Sequence, residues 1–149
     1  MKFLVALTMF LTASAFMTGA GASPAITYVG HEKVAVSLET RRDNGPSLFA
    51  ASDLKIIATR RSVPGEVQVH EKETNVVYVL DGTATIVTGG TVVGGKVVSP
   101  GQIQGSSIQG GRVQRLTKGD LLVIPAGTPY WYKEISQPIN RLVVKVLKP

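Results

Sequence analysis

Between Pro64 and Gly82 the chain alternates. Glu66, Gln68, His70 and Lys72 share one parity, and Val67 and Val69 take the other. A period of two marks a strand. The polar row holds a histidine and a lysine in line, so it faces water or lines a cavity that needs those groups. Gly119 to Tyr132 also reads as strand, turn, strand: a buried strand at Leu121 to Ile124, then a tight turn at Pro125-Ala126-Gly127. Leu54 to Arg61 is a further strand. Thr83 to Thr88 is predicted to return as a hairpin after Asp81-Gly82, a strong turn dipeptide. Arg141 to Leu147, with Val143, Val144 and Val146, is the last strand. Ala25 to Leu38 holds two short β-rich pieces, AITYVG and KVAVSL, and Glu39 to Ser47 is polar loop around Gly45-Pro46. Past the first 22 residues no stretch has a helical period, so the chain is predicted all-β.

The first 22 residues differ in kind. Lys2 gives a positive start, Phe3 to Met17 is an uncharged and mostly apolar run, and Ala20-Gly21-Ala22 is an A-x-A cleavage signal. The run is short for a bilayer, which needs about 20 residues. Residues 1–22 are therefore expected to be a cleavable signal peptide, residues 23–149 one domain, and the protein exported to a periplasm or medium without a stable membrane anchor. The chain has no cysteine, so neither a disulfide nor a lipoprotein anchor is open to it. Stability must come from the core.

The formal net charge is +6, with Arg41-Arg42 and Arg60-Arg61 as pairs. No basic stripe with interleaved aromatics runs through the sequence, so nucleic acid is not expected as a partner. The pairs read as solvated surface, and His31, set among charges, as a surface residue. Gly89 to Gly111 is rich in glycine, with short pieces VVGGKVV and IQGSSIQGG. It lacks a phosphate-loop pattern and is expected to form an extended hairpin or lid.

The two strand-turn-strand stretches resemble the paired motifs of the cupin superfamily, in the form of a small single-domain protein with a type-2 cupin domain. The second motif, G-x5-P-x-G-x2-H-x3-N, is matched at Gly119, Pro125 and Gly127. In the first, G-x5-H-x-H-x3,4-E-x6-G, His70 matches, and so does Gly82 with one residue fewer before the glutamate position. The resemblance spans about residues 56–146 and implies a jelly-roll β-barrel and a homodimer. It departs at the metal-ligand positions. The second histidine position is Lys72, the glutamate position Asn75, the third histidine position Tyr130, and the final asparagine position Glu134. His70 is the one family ligand kept.

That loss decides the expected chemistry. A protonated lysine has no lone pair to give, and a tyrosine ligates only as phenolate. No metal cofactor is expected, and Fe, Mn, Ni and Zn should bind weakly or not at all. By position in the motifs, His70, Lys72 and Tyr130 face the interior. Gln68 joins them by alternation, Tyr132 lies two residues beyond Tyr130, and Asn75 offers an amide oxygen. A bend before Asn75 would also bring Glu73 inward. The expected function is binding of a small anionic or sugar-like ligand in the barrel, with Gln68, Asn75 and Tyr132 as binding residues. The alternative is a metal-independent isomerase, epimerase or cyclase. There His70 would act as base, Lys72 would stabilise an enolate, and Tyr130 would return a proton. A metal-dependent oxygenase is a third and weaker reading.

Overall fold

A computed structural model describes residues 26–39 and 47–148. The proposed leader and most of the Glu39–Ser47 loop lie outside the described residues. The elements are α1 (His31–Glu39), β1 (Ser47–Ala50), β2 (Leu54–Arg61), β3 (Val67–His70), β4 (Glu73–Thr88), β5 (Thr91–Val93), β6 (Lys96–Ser99), β7 (Gln102–Gly105), β8 (Ser107–Gln109), β9 (Arg112–Leu116), β10 (Leu121–Ile124) and β11 (Tyr130–Leu147). Every strand pairing is antiparallel. The all-β jelly roll expected from the sequence is the fold.

Two long strands organise it. β4 and β11 pair along almost their whole length, from Tyr130 opposite Thr88 to Leu147 opposite Glu73, with several register shifts between Tyr132 and Arg141. β2 adds to the second half of β11, while β9 and β10 add to the two halves of β4. The inward side chains interdigitate as Ile57, Val77, Val79, Ala84, Ile86, Leu116, Ile124, Ile139 and Val143, with Tyr132 among them.

The expected hairpin turn at Asp81-Gly82 is not formed. β4 runs straight through it. Gly82 has φ +89°, and a Cβ there would collide with the Pro138 carbonyl of β11. The glycine lets two bent strands cross in contact, where a side chain would hold them apart. The expected turn at Pro125-Ala126-Gly127 is formed. Thr128 N donates to Pro125 O at 3.1 Å, and Gly127, at φ +79°, donates to His70 O at 2.8 Å.

Two other expectations change, and one is met. Residues 31–39 form a helix, not a β-rich piece. The Gly30 carbonyl accepts from Lys33 N and Val34 N, which starts the turn. Val34, Ser37 and Leu38 then face inward on one side while Val36 is exposed. The helix packs on β2, and that packing overrides the strand preference of two valines. Leu121–Ile124 is a strand but not a buried one. Among the described residues β10 pairs with β4 alone, and Leu121 (64% exposed) and Val123 (54%) face outward while Ile124 faces the core. The Gly89–Gly111 insert forms the expected extended hairpin, with β6 and β7 at its tip and β5 and β8 at its base. It is not a detached lid, because β7 pairs with β3 in full register.

Candidate functional site

β3 and the start of β11 bring the key side chains together. Tyr130 is paired with Gln68 across these two strands, and opposed residues point to the same face. Gly127 N holds the His70 carbonyl, so the motif turn sets the distance between the strands. As a result His70 Nε2 lies 2.9 Å from the Tyr130 hydroxyl and 3.3 Å from Gln68 Oε1. The Tyr130 hydroxyl lies 2.8 Å from the same Gln68 oxygen. One phenolic proton thus serves two acceptors. When it goes to Gln68, His70 carries its proton on Nε2. When it goes to His70, the imidazole proton sits on Nδ1.

Nδ1 faces Glu73. Its carboxylate Oε2 is 3.3 Å away, close enough for Coulomb attraction but out of line for a hydrogen bond. The same oxygen receives Lys145 Nζ at 2.6 Å. Burial lowers the His70 pKa below its ordinary 6.5, the Lys145 ammonium lowers it further, and Glu73 opposes both. His70 is therefore neutral at pH 7. Tyr130 moves the other way. Burial and then the neighbouring Tyr132 push its phenol far above the usual 10, against the pull of Arg141 and Arg61.

Deeper in the barrel sits a second group. Arg141 comes from β11 and Arg61 from β2, and both are buried. Their guanidinium carbons lie 4.5 and 5.4 Å from the centre of the buried Tyr132 ring. Arg141 Nη2 donates to Thr59 Oγ1 at 2.7 Å. These groups, with His70, Tyr130, Asn75 and Lys145, line a small inner chamber of about 80 Å³ whose apolar walls include Ile57, Val77 and Ile124. An outer cavity of about 400 Å³ adjoins it, sharing Ile57, Gln68, His70 and Lys145, and adding Glu73, Gln102 and Gln104.

The expected site residues fare unequally. His70, Tyr130, Gln68, Asn75 and Tyr132 converge, and Glu73 does turn inward. Lys72 does not join them. β3 ends at His70 and residues 71–72 form a turn, so the alternation is broken and Lys72 is exposed, outside both cavities. Lys145, Arg141 and Arg61 supply the interior positive charge in its place. Of the Arg60-Arg61 pair, read as solvated surface, only Arg60 remains partly in solvent, bonded to Asn140 at 3.2 Å. His31 is a surface residue as expected, beside Glu32.

No protein-family model matches the sequence, and no curated protein matches it either. Solved structures do match in shape. A Bacillus halodurans protein superposes over 87% of this chain and 86% of its own at 13% identity, with a TM-score of 0.56. Hydroquinone 1,2-dioxygenase from Sphingomonas sp. TTNP3 covers 74% of this chain and 72% of its own at 17% identity and TM-score 0.51. The cupin domain of Cnp3 from Schizosaccharomyces pombe covers 69% of this chain and 63% of its own at 13% identity and TM-score 0.50. The chain has the cupin fold.

A cupin barrel invites a metal, and the donor set of this one does not fit it. Among the described residues no group of three or more His, Cys, Asp or Glu is placed to hold an ion. At the family's ligand positions stand His70, an outward Lys72, the amide of Asn75, and a tyrosine whose phenol is held far from ionisation. Three cationic side chains, Arg61, Arg141 and Lys145, line the same chamber and would repel a divalent cation. The cavity of this barrel is thus lined by cationic side chains in place of a metal-ligating set. The arginines were legible in principle. Ile57, Thr59 and Arg61 share a parity on β2, as do Arg141, Val143 and Lys145 on β11, so each charge continues an apolar, inward row.

Proposed function

We propose that the barrel binds a small carboxylate- or phosphate-type anion without a metal. The observation that carries this is the pair of buried guanidinium groups over Tyr132, facing a chamber too small for more than a few heavy atoms. An anion in the chamber would meet charge-assisted donors in a low-dielectric setting, where such bonds are strongest. Calorimetric titration with acetate, phosphate and glucose tests it. The anions should bind and glucose alone should not. Equal binding of all three, or binding of none, would end this reading.

The His70–Tyr130 contact supports a second reading, that of a metal-independent isomerase, epimerase or cyclase. A neutral imidazole 2.9 Å from a protonated phenol is a base beside an acid. Lys145 would stabilise developing negative charge, the role earlier expected of Lys72. Solvent-deuterium uptake at the carbon next to the ligand's carboxylate would reveal such a step, and its absence under saturating ligand would leave binding alone. We further propose export of residues 23–149 and a homodimer. The outward residues Tyr78, Leu121 and Val123, with Leu121 directly opposite Tyr78, form an exposed apolar face that supports pairing.

A further inference from the structure

We propose that the glycine-rich insert is the specificity wall of this site, and that the ligand is a polyhydroxylated carboxylate, a sugar acid. The inference rests on the anion-binding reading and adds the rest of the molecule to it. Gln104 is opposite Gln68, and Gln102 is opposite His70, in the β3–β7 pairing. Directly opposed residues share a face, and all four side chains line the outer cavity. The insert therefore extends the site strand by strand.

Its glycines make this possible. A Cβ on Gly105 would collide with Val92 of β5 and lie 3.7 Å from Val67 of β3. The base of the hairpin, β5 with β8, can thus fold close against β7 at Gly105. The missing side chain at Gly105 is what lets β5 approach β7 this closely.

The chemistry of the wall is amide. Gln68, Gln102 and Gln104 each bring one acceptor and two donors, which suits hydroxyl groups, since those both give and accept. Gln68 has its oxygen engaged by Tyr130 and His70, so its NH2 is what it presents to a ligand. An apolar ligand body would desolvate these amides without return, at a cost. The outer volume, about 400 Å³, lies in the range of small-molecule pockets, while the inner chamber takes only the anionic end. The inner chamber takes the carboxylate, while the outer cavity sets its three amides for hydroxyl groups beside the charged Lys55, Glu73 and Lys145.

Calorimetry on the purified protein tests this with glucuronate, hexanoate and acetate. Glucuronate should bind about 10-fold or more tighter than acetate, and hexanoate should gain nothing over acetate. In Gln102→Leu/Gln104→Leu, glucuronate affinity should fall by about 10-fold towards that of acetate, with acetate unchanged. Both side chains are partly exposed, and Gln104→Leu alone serves as a milder variant. Hexanoate matching glucuronate on the unsubstituted protein would overturn the proposal, whatever the variants do. So would a double variant that keeps the preference. In either case acetate binding would leave the anion reading standing. Failure of every anion to bind would overturn both.

Discussion

Replacing Arg141 with methionine should weaken anion binding while sparing the fold. The guanidinium is buried, 4.5 Å over Tyr132 and bonded to Thr59 at 2.7 Å. A hydrogen bond to a charged group contributes about 1.5–3 kcal/mol, which corresponds to a roughly 10- to 150-fold rise in Kd. The variant also loses the Thr59 bond, about 1 kcal/mol, and a cation–π contact of about 0.5–2 kcal/mol, so its melting temperature should fall. Methionine fills the space flexibly, and the melts check that the variant is folded. The control is Lys72→Met. Lys72 is exposed in the turn after β3, so its loss should move Kd by less than about twofold, as expected of a solvent-screened charge. Titration of both variants with acetate, alongside thermal melts, reads the result. A folded Arg141→Met protein with unchanged affinity would refute the placement of the anion. A large loss in Lys72→Met would do the same from the other direction.

Other expectations follow from single features. Burial and Lys145 hold the His70 pKa below 6.5, so the unfolded chain takes up this proton first as pH falls. The His70 contribution should be level above about pH 7 and should decline from about pH 6.5 downward until the folded-state pKa is reached. Urea titrations of His70→Gln should lack that part of the slope, and an unchanged slope would assign it to other groups. Gly82→Ala should lower stability by about 2 kcal/mol or more, since φ is +89° and the Pro138 carbonyl fills the Cβ position; a melt unshifted by the change would contradict the close crossing of β4 and β11. Elemental analysis after dialysis against a chelator should find no stoichiometric Fe, Mn, Ni or Zn, and one equivalent of any of them would count against the donor-set argument. Intact mass of the exported protein should begin at Ser23, and sedimentation should give a dimer that Leu121→Lys converts to monomer.

Much of the fold was legible in the sequence because it depends on local chemistry. Period-two alternation marks β3 without any partner. Pro125-Ala126-Gly127 turns for reasons contained in those residues and in the φ of Gly127. The loss of three ligand positions is equally a property of residue types, so the misfit to a metal is visible without coordinates. What needed the tertiary structure is everything set by distant contact. Residues 31–39 are helical because β2 gives them a surface to pack on. Asp81-Gly82 stays in a strand because β11 crosses there, although the same dipeptide alone favours a turn. The polar row of β3 stops at His70, since alternation fixes parity only while the strand lasts, and a turn at residues 71–72 sends Lys72 out and Glu73 in. The charges that define the site, Arg61, Arg141 and Lys145, come from strands far apart in sequence. Each lies on an inward row, but only closure of the barrel brings those rows to face one chamber.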